Sequence, residues 1–397
     1  MVIKAESAVY GGYVIARENG VIFIRGAIPE ELVDVSIEEK KRDYSIATVR
    51  KVIEPSPDRI EPPCPVFGIC GGCQLQFISY EKQVSMKEEV LLDAVRRIGG
   101  IETALSTALT DKNYHYRQRG QFKVSQKGKI GFYKEGSHDV VGIDECPLMI
   151  NEINIFVRKL KDMNLSGLKE LHISFGDSAN ALVKTRFSAE EAEKLIMDLG
   201  FSGIAFDNGE SLGKDYIKLD LNGLQYTVTP WSFFQAHWDL NRKVVALIIN
   251  ELQPMEGMRV LDLYSGAGNF SLPVAAHASQ VIAVEGNPYA IEDGQRNAKL
   301  NNISNCRFIK SSAEKYKINE KFDIILLDPP RPGLTSDVMK KVIDLSPKRI
   351  VYVSCNPATL ARDLKKLNEK YNIDSLRMID FFPNTYHVEA LVFLSSR

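Results

Sequence analysis

The sequence has no apolar run of the roughly 18 residues that a membrane-spanning helix needs. Its start, Met1-Val2-Ile3-Lys4-Ala5-Glu6, also lacks the long apolar core of a secretory signal. Neither sign of charge is in excess, since the formal net charge is -1 over 397 residues, so a surface that binds nucleic acid has to be local. We expect a cytoplasmic protein without a membrane partner. Disulfides are rare in that compartment, so the six cysteines need metal binding, catalysis or packing as explanations.

Residues 1–55 contain short strand-like runs that turn signals such as Glu18-Asn19-Gly20 separate. The runs are Tyr13-Val14-Ile15-Ala16, Val21-Ile22-Phe23-Ile24, Leu32-Val33-Asp34-Val35-Ser36-Ile37 and Ile46-Ala47-Thr48-Val49. About five short strands in so few residues predict a small closed β-barrel of OB-like size. Barrels of this kind bind RNA or brace neighbouring domains, and the balanced charge of this one does not distinguish the two roles.

Three cysteines lie close together as C-x5-C-x2-C, namely Cys64, Cys70 and Cys73, and Gly71-Gly72 lets the backbone turn tightly between them. A distant fourth, Cys146, precedes a proline. Four thiolates in this arrangement favour an iron–sulfur cluster. Zinc is the competing ligand, although structural zinc sites usually pair two C-x2-C knuckles and only one is present. Simple packing is the third explanation.

Residues 111–139 form the most cationic part of the chain. The basic residues are Lys112, Arg117, Arg119, Lys123, Lys127, Lys129 and Lys134, and the interleaved aromatic residues are Tyr114, Tyr116, Phe122, Phe132 and Tyr133. Cations for phosphates and rings for splayed bases suit a folded RNA partner. A solvated β-hairpin with ordinary basic residues is the alternative.

From about residue 240 the pattern alternates helix and strand, which predicts an α/β, Rossmann-like domain. The strand Arg259–Leu263 leads into a glycine-rich turn with Gly266 and Gly268, in a D-x-x-x-G-x-G pattern that differs from the G-x-G-x-x-G of dinucleotide sites. The strand Gln280–Val284 ends in Glu285, and an acid there can bind both ribose hydroxyls. Turn and acid together indicate S-adenosylmethionine.

Two later strands also end in chemically useful residues. One runs into Asp328-Pro329-Pro330, which by itself permits methylation of an exocyclic amino group such as adenine N6. The other ends at Cys355, before Asn356-Pro357. A thiolate that adds to C6 of uracil makes C5 nucleophilic, and a base must then remove the C5 proton. Glu389 opens the last predicted strand and is the candidate base. A packed thiol and an exposed strand-end carboxylate are the plain alternatives.

With these residues assembled, the chain resembles the S-adenosylmethionine-dependent RNA uracil-C5 methyltransferases of the TrmA/RumA type over essentially its whole length. The most specific segments are Ser354-Cys355-Asn356-Pro357-Ala358-Thr359-Leu360-Ala361-Arg362-Asp363 and His387-Val388-Glu389. The resemblance implies a TRAM β-barrel over 1–55, a central iron–sulfur and RNA-binding α+β domain over 56–235, and a class I methyltransferase domain over 236–397.

The resemblance also implies roles for individual residues. Cys355 would be the nucleophile and Glu389 the base. The cysteines Cys64, Cys70, Cys73 and Cys146 would bind a [4Fe–4S] cluster, and the cofactor positions are Gln235, Tyr264, Gly266, Gly268, Asn269, Glu285, Ser312 and Asp328. Two positions depart from the family pattern: His237 stands where asparagine is common, and Ser312 stands where asparagine or aspartate is common.

The implied activity is the formation of 5-methyluridine in RNA. The barrel and cysteine segments resemble those of enzymes acting on large-subunit (23S) rRNA, and a T-loop uridine of tRNA is the alternative substrate. An RNA-binding iron–sulfur protein without catalysis is an alternative of another class. A monomer is expected.

Overall fold

Three β-sheets and a β-hairpin organise the computed structural model, which describes residues 1–163, 165, 167–184 and 189–397. The first sheet has six strands in the order β1-β5-β6-β4-β3-β2. These strands are β1 (Val2–Lys4), β2 (Ser7–Val9), β3 (Tyr13–Arg17), β4 (Val21–Arg25), β5 (Leu32–Lys40) and β6 (Tyr44–Glu54). The alternation of buried and more exposed residues along β4 is that of a strand with one face on a core. The four predicted runs lie within β3 to β6, while β1 and β2 are too short to carry a pattern of their own.

Part of the segment between the first and second sheets is associated with the third, C-terminal sheet. It contains helix α1 (Tyr80–Arg97) and strand β7 (Ser106–Leu109). Strand β7 pairs in parallel with a strand near the C-terminus, with Ser106 opposite Arg377 and Leu109 opposite Ile379. One strand of the C-terminal sheet therefore comes from the segment 56–235, which was assigned to the central domain.

The second sheet has seven strands in the order β10-β9-β8-β11-β12-β13-β14. The elements of this region are β8 (Arg119–Val124), β9 (Ile130–Tyr133), β10 (Val140–Gly142), α2 (Asn151–Lys161), β11 (Glu170–Phe175), β12 (Ala179–Lys184), α3 (Ala189–Leu199), β13 (Gly203–Phe206) and β14 (Ser211–Gly213). Neighbouring strands are antiparallel, except for β12 and β13. A hairpin of β15 (Ile217–Leu221) and β16 (Leu224–Val228) follows.

The third sheet has eight strands in the order β19-β18-β17-β20-β21-β23-β22-β7. Its remaining elements, with the helices around it, are α4 (Trp238–Leu252), β17 (Arg259–Leu263), α5 (Ser271–Ala275), β18 (Gln280–Glu285), α6 (Pro288–Leu300), β19 (Cys306–Lys310), β20 (Ile324–Leu327), α7 (Ser336–Leu345), β21 (Arg349–Ser354), α8 (Pro357–Leu367), β22 (Tyr371–Ile379) and β23 (Glu389–Ser396). Strands β17 to β21 are parallel, and β23 is antiparallel to β21 and to β22.

The strand order of this sheet reverses at β17, which has β18 on one side and β20 on the other. Open α/β sheets bind ligands at the carboxyl ends of the strands at such a point. Strands β17, β20 and β21 are buried along nearly their whole length, as parallel strands covered on both faces are. The fold is therefore α/β, and none of its helices, within the described part of the chain, is long and apolar enough to cross a membrane.

Candidate active site

Cys355 lies at the carboxyl edge of the eight-stranded sheet, directly after β21, and is partly buried. The chain then enters α8, whose start Asn356 caps. The side-chain oxygen of Asn356 accepts the backbone N–H groups of Ala358 at 3.0 Å and Thr359 at 3.4 Å. Pro357 begins the helix, where a missing N–H costs nothing. The strand end and the capped helix start together fix the position of the thiol.

Glu389 is the neighbour of Cys355 across the sheet. In the antiparallel pair of β21 and β23, Ser354 lies opposite Ala390. Continuing this register by one residue sets Cys355 opposite Glu389, and facing residues of such a pair have Cα atoms about 4.5–5.5 Å apart. The register thus brings together the two residues predicted to be the nucleophile and the base. We call the space around them the catalytic crevice.

The pKa of the Glu389 carboxyl is raised to about 8. Burial is the main cause, and the charges of Asp328 and Asp380 add to it, while Arg331 and Lys87 oppose it. Only 6% of Glu389 is exposed, so the charged carboxylate is poorly hydrated. A carboxyl that exchanges its proton near neutral pH is suited to act as a general base.

The thiol of Cys355 is protonated at neutral pH in the free protein. Burial raises its pKa to about 11, helped by the charges of Glu389 and Asp328 and opposed by Arg331. Asp328 follows β20, and burial together with Glu285 raises the pKa of its own carboxyl to about 7. Reactivity of the thiol therefore depends on a change in these neighbouring charges.

Arg331 is a residue of the site that the sequence reasoning missed. It is exposed, and its positive charge lowers the pKa of both Cys355 and Glu389. The signal that could have found it is its place directly after Asp328-Pro329-Pro330, in a loop already assigned to the site.

The glycine-rich turn after β17 leaves room for a ligand. Gly266 has φ +54°, and a Cβ placed there would meet no atom within 4 Å. Gly268 has φ +90°, and its Cβ would lie 2.9 Å from Leu272 Cγ and from Phe308 Cζ. Gly266 thus offers an open approach to the backbone, whereas Gly268 is required by packing.

Glu285 ends β18 beside this turn. The N–H of Gly266 donates to Glu285 Oε2 at 3.0 Å, and the N–H of Asn287 donates to Glu285 Oε1 at 2.7 Å. Each oxygen accepts one of these bonds, and a carboxylate oxygen has capacity for a second. The carboxylate is therefore held in place at the sheet edge and can still accept bonds from ligand hydroxyls.

The other predicted cofactor residues occupy different environments. Gln235 is buried, and its Oε1 has no hydrogen-bond partner among the described residues. Asn269 exchanges two hydrogen bonds with Asn241 of α4, at 2.7 and 3.0 Å, so its amide is already committed to the protein. Tyr264 has φ +68°, a costly conformation that is typical of functional sites. Ser312 follows β19, and its hydroxyl accepts the N–H of Lys315 at 3.4 Å.

Asp262 was not predicted as a site residue, although it begins the D-x-x-x-G-x-G pattern. Its side chain is fully buried at β17, and the hydroxyl of Ser271 donates to its Oδ2. In the described part of the chain, its Oδ1 has no partner. Burial, with the charges of Asp328 and Glu285, raises its pKa to about 8. An unsatisfied buried acceptor behind the glycine turn marks this end of β17 as a binding region.

The loop that leads to Glu389 is anchored by residues far away in the sequence. Lys87 of α1 forms a buried ion pair with Asp380 at 2.7 Å and also donates to Phe382 O at 3.0 Å. Asn384, at φ +66°, exchanges two hydrogen bonds with Gln83 at 2.8 and 3.1 Å. The carbonyl of Asn384 accepts the N–H groups of residues 74 and 75, at 3.0 and 3.1 Å. These bonds connect the loop before Glu389 to α1 and to the cysteine-rich loop.

His237, one of the two departures from the family pattern, has a structural role. Its Nδ1 accepts the N–H of Leu240 at 3.4 Å and caps α4, and its Nε2 lies 3.1 Å from Lys112 O. The ring also stacks on Tyr116, with the centroids 4.6 Å apart. Burial lowers the pKa of His237, so the neutral ring donates one of these bonds and accepts the other.

The predicted metal ligands gather at a separate place. A cavity of about 70 Å³, called here the cysteine cavity, is lined by Cys64, Cys70, Cys73 and Cys146. Its other walls are largely apolar, with Arg117 as a cation and Glu145, which pairs with Arg158 at 3.0 Å, as an anion. The described residues contain no group of three or more His, Cys, Asp or Glu side chains arranged to hold a metal ion.

The backbone around the cysteine cavity is well fixed. The N–H of Gly71 donates to Tyr133 O at 2.9 Å, and a Cβ on Gly71 would lie 3.1 Å from that oxygen. Asn154 accepts the N–H of Cys146 at 2.9 Å and donates to its carbonyl at 3.1 Å. Burial raises the pKa of the Cys73 thiol to about 12. A ligand that binds here must therefore displace protons from the thiols.

Part of the cationic segment 111–139 is used inside the protein. Arg117 lies over the rings of Tyr116 and Phe382, and Arg119 donates to Ser232 O at 2.9 Å. Other cations of the segment are exposed, namely Lys112, Lys127, Lys129 and Lys134. The prediction that this segment contacts RNA therefore now applies to the exposed lysines.

Three comparisons with known proteins point to one family. The model of the tRNA (uracil-5-)-methyltransferase family matches residues 188–397. The chain is 34% identical over 417 residues to an uncharacterized RNA methyltransferase of Aquifex aeolicus (strain VF5). This alignment covers 99% of this chain and 97% of the relative. The fold is similar to that of a Pyrococcus abyssi tRNA (uracil-54, C5)-methyltransferase crystallised with S-adenosyl-L-homocysteine. The TM-score is 0.81 at 26% identity, and the match covers 99% of this chain and 100% of that one.

The family match spans more than half of the chain, and the relative aligns over nearly all of it. These findings argue against methylation of an exocyclic amino group, which Asp328-Pro329-Pro330 alone permits. They also argue against an RNA-binding protein without catalysis. The chain belongs to the tRNA (uracil-5-)-methyltransferase family and is an S-adenosylmethionine-dependent RNA (uracil-C5) methyltransferase.

Proposed function

We propose that the protein forms 5-methyluridine in structured RNA, with Cys355 as the nucleophile and Glu389 as the base. One observation carries the proposal: the β21–β23 register, continued by one residue past its last pair, Ser354 and Ala390, makes Cys355 and Glu389 neighbours. They lie at the edge of the sheet where the glycine-rich turn and Asp328 also lie. A uridine must leave its stack to reach this buried position.

The proposed reaction uses both groups in turn. The Cys355 thiolate adds to C6 of uracil, and the electron pair of the C5–C6 double bond makes C5 nucleophilic. When bound, S-adenosylmethionine supplies the electrophilic methyl group that C5 accepts. Glu389 then removes the proton from C5, the C5–C6 double bond re-forms, and the Cys355–C6 bond breaks. The products are 5-methyluridine, S-adenosylhomocysteine and one proton.

The residues around the glycine-rich turn fit the proposed cofactor site. Glu285 would accept the ribose hydroxyls, and Gly266 leaves its side of the turn open. The unpartnered oxygen of Gln235 would accept a donor such as the amino group of the cofactor. Tyr264, Gly268, Asn269 and Ser312 complete the set, and Asp328 would face both cofactor and base.

We further propose that the cysteine cavity holds a [4Fe–4S] cluster. Four thiols line one mainly apolar cavity, and the cation Arg117 would offset the negative charge of a thiolate-ligated cluster. In this proposal residues 1–55 are the TRAM domain, 56–235 the central iron–sulfur and RNA-binding domain, and 236–397 the methyltransferase domain. Residues 80–109 of the central segment also pack onto the methyltransferase sheet. We propose a cytoplasmic monomer.

Large-subunit rRNA is the RNA that we propose as substrate, because a barrel and a cysteine-rich segment accompany the methyltransferase domain. A T-loop uridine of tRNA is the second candidate. One observation favours it, since the Pyrococcus abyssi neighbour, a tRNA (uracil-54, C5)-methyltransferase, matches essentially this entire chain.

The test is to incubate the holoenzyme with labelled S-adenosylmethionine and unmodified transcripts of 23S rRNA and of tRNA. Nucleoside analysis should find 5-methyluridine in one of them, and the preferred transcript decides between the two substrates. Label in 6-methyladenosine, or no label in uridine of either RNA, would contradict the proposal.

A further inference from the structure

A turn of the N-terminal six-stranded sheet, the segment predicted to be a barrel, reaches the loop that leads to Glu389. The turn between β2 and β3 consists of Tyr10, Gly11 and Gly12. The ring of Tyr10 meets the ring of Tyr386 edge-on, with the centroids 5.7 Å apart and an interplanar angle of 89°. Tyr386 lies three residues before Glu389, so the barrel touches the loop that carries the proposed base.

The close approach depends on glycine. Gly12 has φ +80°, and a Cβ there would lie 3.3 Å from the Cβ atoms of both Gln74 and Tyr386. That distance is tighter than ordinary van der Waals contact, so a side chain at this position would push the turn away from the crevice. The turn is therefore packed directly against the loop of residues 380–388.

Tyr10 is electrostatically part of the crevice. Burial raises the pKa of its hydroxyl, Arg331 lowers it, and the charges of Tyr386, Cys355 and Glu389 raise it. A neighbouring charge shifts a pKa most strongly from within about 4–6 Å. The residue nevertheless remains 39% exposed, so it is open to a ligand that enters from solvent.

The surroundings of Tyr10 fit RNA. From Tyr10 a row of rings follows the loop before Glu389: the ring centroids of Tyr386 and His387 are 4.4 Å apart, and those of His387 and Phe382 are 5.5 Å apart. Arg331 supplies an exposed cation beside this row. Aromatic faces for unstacked bases, next to a cation for phosphate, are the features that bind single-stranded RNA.

We propose that Tyr10 is an RNA-binding residue of this enzyme, whose ring stacks on an unpaired base next to the uridine that reaches Cys355. The N-terminal barrel would thus complete the substrate crevice rather than only brace the other domains. This inference rests on the proposed function, because the uridine at Cys355 defines which base is its neighbour.

The barrel offers a closely matched control, Tyr44. It is 38% exposed, and its ring meets Phe23 edge-on with the centroids 5.4 Å apart at 89°. Tyr44 pairs with Val21 at the far end of β4, whereas the Tyr10 turn adjoins the end where Tyr13 pairs with Arg25. A variant of Tyr44 reproduces the loss of a barrel tyrosine without touching the crevice.

The experiment measures the dissociation constant of the holoenzyme for 23S rRNA and tRNA transcripts by fluorescence anisotropy. The variants are Tyr10→Phe, Tyr10→Leu and Tyr44→Leu. Removing a stacking ring weakens single-strand binding by roughly 5- to 100-fold, so Tyr10→Leu should weaken binding of the methylated transcript by that factor. Tyr10→Phe keeps the ring and should bind within about twofold of the wild type, as should Tyr44→Leu. Affinity for S-adenosylhomocysteine should stay unchanged in all three.

Wild-type RNA affinity in Tyr10→Leu would overturn the inference while leaving the proposed function intact. A Tyr10→Phe variant as weak as Tyr10→Leu would also overturn it, because the hydroxyl would then be the contact. Equal weakening by Tyr44→Leu would show a general effect on the barrel and would contradict it as well. If the wild-type enzyme forms no 5-methyluridine in either transcript, the proposed function fails, and the inference fails with it.

Discussion

Two regions of the molecule present thiols to a proposed ligand or substrate, and the walls of these regions differ. In the catalytic crevice a single thiol, Cys355, lies among the carboxyls of Glu389 and Asp328 and near Arg331. In the cysteine cavity four thiols share mainly apolar walls. A lone thiol among proton-exchanging groups suits a nucleophile, whereas several thiols around one apolar space suit a shared inorganic ligand. The surroundings of each thiol, more than its residue type, indicate its role.

The largest effect is expected when the thiol of Cys355 is removed, which tests whether this thiol is the nucleophile. Cys355→Ala should lower 5-methyluridine formation by more than about 10⁴-fold, because the nucleophile is lost, while affinity for S-adenosylhomocysteine stays unchanged. Cys306→Ala is the control, since Cys306 is a partly buried cysteine of β19 outside both regions, and it should keep wild-type activity. Methylation that survives in Cys355→Ala would rule out the proposed mechanism.

The next variant separates the base from the nucleophile. Glu389→Gln should slow turnover by about 10²- to 10⁴-fold, and it should accumulate a covalent protein–RNA adduct with natural RNA because the C5 proton stays in place. Denaturing gel electrophoresis detects the adduct. The exposed residue Glu369 supplies the control variant, Glu369→Gln, which should turn over normally. Loss of activity without any adduct would show that Glu389 acts before methyl transfer.

A third variant tests how strongly the buried Lys87–Asp380 ion pair stabilises the loop before Glu389. Lys87→Met leaves the fully buried Asp380 without its cation and should reduce the free energy of unfolding in urea by about 3–5 kcal/mol. Lys4→Met removes a cation from an exposed pair with Glu30 and should change the free energy of unfolding far less than Lys87→Met does, because solvent screens an exposed pair. Equal effects of the two variants would show that burial does not decide the strength of these pairs.

The cysteine cavity is tested by iron content. Anaerobically purified protein should be brown and contain iron, and Cys73→Ala should lose that iron. Activity should fall by less than about 100-fold, far less than in Cys355→Ala, since this thiol takes no part in bond formation. Zinc in place of iron in the wild-type protein would overturn the cluster assignment.

The smallest effect is expected for the cation at the mouth of the crevice. Arg331 lowers the pKa of Cys355 and Glu389, so Arg331→Gln raises both pKa values. Activity requires both groups to be deprotonated, so the rising limb of the pH–rate profile should move to higher pH. The loss at pH 7 should be less than about tenfold, because Arg331 is exposed and screened. Arg307→Gln, at an exposed arginine of β19, should leave the profile unchanged. A shift to lower pH would contradict the electrostatic account.

Sequence patterns predicted those parts of the site that local order determines. The run Arg259–Leu263 is a strand with the predicted bounds, and Cys355 and Glu389 meet because each adjoins the end of a strongly apolar strand. The loop anchors were beyond reach, since Gln83 and Asn384 are 301 residues apart and bond only after folding.

The same limit explains two further omissions. Strand β7 has four residues that are at most partly buried, so nothing in its pattern indicated that it joins the C-terminal sheet. Tyr10 lies in a short hairpin turn, where the neighbouring sequence does not indicate what an aromatic side chain contacts. Its neighbourhood is created by the packing of the barrel against the loop before Glu389. Periodicity predicts elements and their ends, whereas contacts between distant elements depend on the assembled fold.

The central claim is tested most directly by trapping the enzyme on RNA that contains 5-fluorouridine, because fluorine at C5 cannot be removed as a proton. Mass spectrometry of the denatured, digested complex should locate the methylated fluorouridine on Cys355, and the complex should be missing from Cys355→Ala. A wild-type protein that forms no adduct, or an adduct attached to any residue other than Cys355, would contradict the account.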